Sequence, residues 1–465
     1  MENKKKIGII GGLDILSDEV LAHQDEYHFL FEQQSDIQMG IKLHSKEGMR
    51  SKKLHTYTVA KRFEDSQADR ILLFGLDNHI FIKELQAELT VPIVSMVDAL
   101  HSYVKANCRK GAKLGILTSD FVKASDMLKG FEADYEIVYP DKQELLMDAV
   151  YGEKGIKKGF LDGVTVEQVF QICKELTHQG CAVILPGISE LSCIVDTLQR
   201  KNLPALDVDA IYTEYALDIA VHPPVKSFKL GVLGGVGPSA TVDFMSKIIR
   251  ETPAQRDQDH IKMVVEQNPQ IPDRTANLVY GGEDPTIALF ATCKRLEAEG
   301  ADAIAIPCNT AHAFVEDIQQ SLKIPIINML EATVDHIIAQ YGKDIVIGLL
   351  ATDGTIASRV YHHVAERYSL QVITPDPEYQ KKVMDSIYGP CGVKAGYTTG
   401  PCKTDIDEAV RHIIDKGAQV CILGCTELPL LFPHETSFAI DGLSIPLIDP
   451  TLVLAKRCVQ LSISV

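Results

Sequence analysis

The chain has 465 residues, 46 % of them apolar and 23 % charged, with a formal net charge of −17. That length exceeds a single hydrophobic core and fits two domains of roughly 200 residues each. The acidic balance argues against a nucleic-acid surface, where Lys and Arg must neutralise phosphates, so an acidic substrate requires positive charge gathered locally. No apolar run reaches membrane-span length. The start, MENKKKIGIIGG, has basic residues but lacks the long apolar segment and small-residue cleavage site of a signal peptide. Eleven cysteines without regular spacing read as reduced thiols, not as a disulfide framework or a zinc site. A soluble, cytoplasmic enzyme is the expectation, with no metal and no membrane or nucleic-acid partner.

In chain order, the elements occur twice. IGIIGGLDI (Ile7 to Ile15) matches LGVLGGVGP (Leu230 to Pro238), and ADRILLFGLDNHIF (Ala68 to Phe81) matches ADAIAIPCNTAHAF (Ala301 to Phe314) without a gap. TVPIVSMVDA (Thr90 to Ala99) matches KIPIINMLEA (Lys323 to Ala332), and LGILTSD (Leu114 to Asp120) matches IGLLATD (Ile347 to Asp353). MDAVYGEKGIKKG (Met147 to Gly159) matches MDSIYGPCGVKAG (Met384 to Gly396). GCAVILPGISELSCI (Gly180 to Ile194) matches GAQVCILGCTELPLL (Gly417 to Leu431), and LPALD (Leu203 to Asp207) matches IPLID (Ile445 to Asp449). The tract VHPPVKSFK (Val221 to Lys229) is the natural seam, giving expected domains 1–224 and 225–465.

Within each copy, short runs rich in Ile, Val and Leu, such as KLGVLGG, DAIAIP and VCILG, alternate with longer amphipathic stretches. The short runs read as buried parallel strands and the longer stretches as helices. The predicted fold class is α/β, with two tandem units, each of two doubly wound parallel-sheet lobes enclosing a cleft. The last strand and helix (Leu443 to about Ser462) are expected to return to the first lobe. Ligands of such sheets sit beyond the carboxyl ends of the strands.

Cys308 and Cys425 each follow a predicted strand, in the contexts PCNTAH and GCTEL. A thiol serves as an acid or base only if its pKa approaches the working pH, and helix N-termini lower it from about 8.5. Two thiols from different lobes would face each other across a small substrate, one removing a proton from carbon while the other delivers one to the opposite face. The plain alternative is that each is a small buried apolar residue. The first copy carries Gly75 and Ile188 at the matching positions, so only the second retains both thiols. The loop Gly234, Gly235, Gly237 is not spaced as GxGxxG and reads as a tight turn under the substrate.

GGVGP, NPQIPDRT (Asn268 to Thr275), PCNTAH, ATDGTI (Ala351 to Ile356), IYGPCGVKAG and GCTEL together resemble the cofactor-independent aspartate/glutamate racemase family, aspartate racemase in particular, over about Lys229 to Val465. The resemblance implies racemisation by Cys308 and Cys425 without pyridoxal phosphate or another cofactor. It also implies that Arg274 and Lys394 bind the carboxylates of a dicarboxylic amino acid, with Asn309, Thr310 and Thr426 lining the same cleft and Gly237 beneath the substrate. Arg suits carboxylates because its donors form a planar fork. His312 and Glu427 stand close enough in sequence to tune the two thiols, or to make satisfied structural hydrogen bonds.

In the first copy Lys157, Ser189, Glu190 and His79 match Lys394, Thr426, Glu427 and His312. Arg50 matches Arg274 if Ile37 is set on Ile261 and Met39 on Met263. Thr310 is replaced by Asp77, whose carboxylate is expected to oppose a substrate carboxylate. The first copy therefore reads as a silent pseudo-subunit of an intramolecular pseudo-dimer, higher oligomers being compatible, with an amino-acid sensor as the alternative. For the whole chain, racemisation of glutamate or of several amino acids is the second enzymatic reading. An amino-acid-binding regulatory protein without turnover is the reading outside enzymology.

Overall fold

A computed structural model describes residues 4–11, 23–33, 46–224, 226–432, 436–440 and 442–463. The chain divides into two compact units, Met1–Lys226 and Ser227–Val465, each of two α/β lobes.

In the second unit, the first lobe holds strands β8 (Lys229–Gly234), β9 (Lys262–Gln267), β10 (Ala303–Ala305) and β11 (Ile326–Ile327) in the parallel order β11-β10-β8-β9. The second lobe holds β12 (Val346–Leu350), β13 (Gln371–Ile373), β14 (Val420–Leu423), β15 (Ser437–Ile440) and β16 (Leu443–Ile448) in the order β13-β12-β14-β16-β15. The central strands β8, β12 and β14 are buried on nearly every residue, as expected of parallel strands covered by helices on both faces. In both sheets the first strand lies between the second and the third, so the direction of winding reverses at β8/β10 and at β12/β14. Clefts for ligands open at such reversals, beyond the carboxyl ends. Cys308 lies just beyond β10 and Cys425 just beyond β14.

The first unit repeats this plan with β1 (Lys5–Gly11), β2 (Tyr27–Gln33), β3 (Arg70–Leu73) and β4 (Ile93–Val94) in the order β2-β1-β3-β4, then β5 (Lys113–Leu117), β6 (Glu136–Val138) and β7 (Cys181–Pro186) in the order β6-β5-β7. Its second sheet keeps only a vestige of the fourth strand: Ile184 forms an isolated parallel bridge to Ala205. The repeat sets these residues on Cys421 and Leu447, which pair in β14 and β16.

Two features depart from the sequence reading. β15 and β16 form an antiparallel hairpin, so the second sheet is not wholly parallel. The last strand also stays in the second lobe, paired with β14, and only the last helix, Pro450–Ile463, crosses back. Its Leu454, Ala455 and Cys458 join Leu230, Val232, Phe244, Ile248 and Met329 in the first-lobe core. Lys247, buried, fixes that crossing by pairing with Asp243 and with Asp449 at 2.6 Å and by donating to Thr451 at 2.7 Å. Among the described residues, no helix is long and apolar enough to cross a membrane.

Candidate active site

The cleft of the second unit is assembled from loop starts. After β8 the chain turns through Gly237, whose φ of 126° is a conformation that side chains disfavour. A Cβ there would sit 2.6 Å from Oε1 of Glu427. Glycine at 237 therefore makes room for the Glu427 carboxylate as well as for the turn.

Arg274 opens the short helix Arg274–Tyr280, whose start is set by Asp273 accepting from the Ala276 N–H at 2.7 Å. The guanidinium is buried. It donates to the carbonyls of Pro272 and Val236, both at 3.1 Å, while its Nε has no partner among the described residues. Burial works against its charge, but the Cys308 sulfur and the Asp273 carboxylate outweigh that and hold it above its ordinary pKa.

Lys394, in a 3-10 turn (Val393–Ala395), pairs with Glu427 Oε1 at 3.3 Å and lies over the Tyr388 ring at 4.9 Å. Burial opposes its charge too, and Glu427, Cys425 and Cys308, in that order, more than compensate, with Arg274 acting against them. Lys394 is thus within electrostatic reach of both sulfurs.

The Cys425 thiol donates to Glu427 Oε2 at 3.0 Å, and the Thr426 hydroxyl donates to the same oxygen at 3.2 Å. Burial and the neighbouring Glu427 charge push the Cys425 thiol well above its usual pKa, against a smaller opposing pull from Lys394. A lowering by a helix N-terminus was the expectation for this thiol. The segment after it is only the 3-10 turn Leu428–Leu431, too short to carry an appreciable dipole.

His312 is not a proton partner of a thiol in this arrangement. Its Nε2 accepts from the Met329 N–H at 3.1 Å, so Nδ1 carries the proton and donates to the Cys308 carbonyl at 2.9 Å. The ring ties the Cys308 backbone to the helix start at Met329. Burial lowers its pKa to about 4 from 6.5. A pKa depressed on folding gives stability that is complete above 6.5 and lost as pH falls toward 4, because the unfolded imidazole takes up a proton that the folded one resists. His79 is buried and lowered to about 4 in the same way. Urea-unfolding midpoints measured from pH 7 to pH 4.5 are therefore expected to fall, and replacing His312 by Gln should flatten that slope.

Thr310, expected to line the cleft, meets Thr355 at 2.8 Å and Thr352 at 3.1 Å. Thr275 donates to Thr352 at 3.2 Å. These four buried threonines join loops of the two lobes, with Gly354 so close that a Cβ would lie 2.8 Å from Thr275. Sequence reading quoted the motifs PDRT and ATDGT but assigned no role to Thr275, Thr352 or Thr355, although hydroxyls recurring in both were the available signal.

It also missed Tyr361, which is fully buried and donates to Asn309 Oδ1 at 2.6 Å; Asn309 Nδ2 has no partner among the described residues. Continuing the repeat without a gap sets Leu128 on Tyr361 and Leu76 on Asn309, so the first unit keeps neither member of this pair. Two further missed contacts cross the cleft mouth: Tyr388 donates to Asp273 at 3.1 Å, and Tyr280 donates to Asp353 at 3.0 Å.

The first unit retains the anionic half of this site in near-identical form. Lys157 meets Glu190 Oε1 at 3.3 Å, lies 5.3 Å from the Tyr151 ring centre, and Ser189 donates to Glu190 Oε2 at 3.1 Å. The rest differs. Gly75 adopts φ 86°, and Ile188 lies in an apolar core with Leu191 and Ile194. Asp77, expected to oppose a substrate carboxylate, accepts from Ser119, the residue matching Thr352, at 2.5 Å. Arg50 is exposed where Arg274 is buried. Ile37 and Met39, on which that register rests, lie outside the described residues.

Two α/β units with paired clefts at strand ends define a tandem racemase-like protein. The sequence profile of the family described as Asp/Glu/Hydantoin racemase matches residues 16–216 and again residues 233–458, and the chain belongs to that family. It is 30 % identical over 239 residues to the broad specificity amino-acid racemase RacX of Bacillus subtilis, covering 50 % of this chain and 96 % of that one. It is 31 % identical over 169 residues to a glutamate racemase of Koribacter versatilis, covering 34 % of this chain and 54 % of the relative. Among solved structures, Picrophilus torridus aspartate racemase is similar with 30 % identity and a TM-score of 0.44, covering 50 % of this chain and 94 % of that one.

Proposed function

We propose that residues 225–465 racemise aspartate without pyridoxal phosphate, Cys308 and Cys425 acting as the two proton carriers. The observation that carries this reading is the placement of two buried thiols of one unit just beyond the carboxyl ends of β10 and β14, with the Lys394–Glu427 pair beside Cys425. One thiolate takes the α-proton, and the electron pair of that bond passes into the carboxylate to give an enediolate-like state. The other thiol then protonates the opposite face. Arg274 and Lys394 supply the positive charge this state requires, and the unpartnered Nε of Arg274 and Nδ2 of Asn309 are donors with unmet demand. Residues 1–224 are proposed to be catalytically silent: neither Gly75 nor Ile188 exchanges a proton, and the φ of 86° at Gly75 resists simple reversion to Cys.

A racemase of broader specificity is the second reading. It is favoured by Glu427, which already pairs with Lys394 and so competes with the substrate's second carboxylate. Incubating the full chain, without added cofactor, with single enantiomers of Asp, Glu, Ala and Lys decides between them. Inversion of both enantiomers of aspartate, faster than that of the others, is the expected result. Comparable rates on all four would establish the broader reading, and inversion of none would leave an amino-acid-binding protein.

A further inference from the structure

Resting on the two-thiol reading, we infer that Glu427 is the proton partner of Cys425, a positioning residue that keeps the sulfur a thiol at rest and receives its proton when Cys425 must act as the base. Glu427 is buried, and its two oxygens are divided. Oε2 accepts from the Cys425 thiol at 3.0 Å and from Thr426 at 3.2 Å, while Oε1 meets Lys394 at 3.3 Å and lies over the bare Cα of Gly237. Lys394, Tyr388, Cys308 and Arg274 are the other titratable or charged groups around this cluster. The first unit shows what survives without the thiol: Glu190 keeps its lysine and its hydroxyl donor, while Ile188 stands where the sulfur would be.

In the step assigned to Glu427, the S–H bond breaks with its electron pair left on sulfur, and an O–H bond forms at Oε2. The carboxyl group becomes neutral, and Lys394, released from its ion pair, faces the new thiolate. That thiolate then takes the α-proton of the substrate. When Cys425 works as the acid, the same states are crossed in reverse: the thiol, beside a neutral Glu427, gives its proton to carbon, and the resulting thiolate then recovers the proton from Glu427 Oε2, which returns to a carboxylate. Charge is thus passed between two adjacent groups beside one fixed ammonium, and no unpaired anion is created in the buried cleft.

Glu427→Gln in the full chain gives two readouts that move in opposite directions. Gln removes the negative neighbour, so the Cys425 thiol ionises more easily and iodoacetamide should label it faster at pH 7, by about 10-fold, as followed by mass spectrometry of the peptide containing Cys425. Gln cannot take the proton, so racemisation should fall by at least about 10-fold, chiefly in kcat and not in KM, with the loss shrinking as pH rises. The equilibrium constant between enantiomers is one, so kcat/KM must fall equally in both directions. Solvent deuterium distinguishes them instead: exchange into the enantiomer deprotonated by Cys308 should persist longer than exchange into the other. A purely structural role would lower labelling and turnover together, and that result, or unchanged values of either, overturns the inference. If the wild-type chain inverts no amino acid, the two-thiol reading fails; if it does and Glu427→Gln matches it, only the role of Glu427 fails.

Discussion

Cys308→Ala and Cys425→Ala are each expected to lower aspartate racemisation by about 10²- to 10⁴-fold or more, the range associated with losing a positioned acid or base. On the proposed mechanism the two sulfurs do different halves of the same event. Removing one leaves either a base with no acid opposite or an acid with no base. The remaining thiol still has a route to the α-hydrogen from its own face. In D₂O each variant should therefore exchange the α-hydrogen of one enantiomer without inverting it, and the two variants should do so with opposite enantiomers. Proton NMR of the α-position, with chiral separation of the products, measures both quantities. Their burial matters here: both cysteines are less than a tenth exposed, so bulk water is poorly placed to substitute for a missing sulfur. Full racemisation by either single variant would sink the two-base mechanism.

The repeat made most of the fold legible. Parallel strands buried on both faces read as short apolar runs, and a duplicated order of such runs marks the central strands and the places where loops carry chemistry. Most of what escaped the sequence is contact between partners distant in the chain. The carboxylate at 77 accepts a hydrogen bond from Ser119, which lies in the other lobe of its unit. Thr310 likewise spends its hydroxyl on Thr352 and Thr355. Tyr361 left no local signal at all, because its value lies in one hydrogen bond to Asn309 across 52 residues of chain. The antiparallel edge at Ser437–Ile440 escaped notice because two short apolar segments joined by a turn resemble the start of another strand-and-helix unit. The fate of a buried charge also depends on its neighbours in space: Glu427 reads as a motif neighbour of Cys425, but its hold on both Cys425 and Lys394 emerges only from three dimensions.

Arg274→Ala should separate the roles that this guanidinium combines. It braces the turn through the carbonyls of Val236 and Pro272, and it faces the Cys308 sulfur. Losing these contacts is expected to slow every substrate. A clamp on the second carboxylate of aspartate would add a cost that alanine, having no such group, does not bear. A hydrogen bond to a charged group contributes about 1.5–3 kcal/mol, which is about 10- to 100-fold in kcat/KM. The expected result is that Arg274→Ala lowers kcat/KM on aspartate about 10- to 100-fold more than on alanine, if alanine turns over at all. Glutamate should fall between them, because its extra methylene places the second carboxylate differently from a buried, backbone-braced guanidinium. Arg274→Lys should restore little, since an ammonium replaces neither the fork nor the two carbonyl contacts. Steady-state kinetics of the variants on aspartate, glutamate and alanine measure this directly. An equal loss on aspartate and alanine would assign Arg274 to Cys308 and the common α-carboxylate and move the selection for a second carboxylate to Lys394.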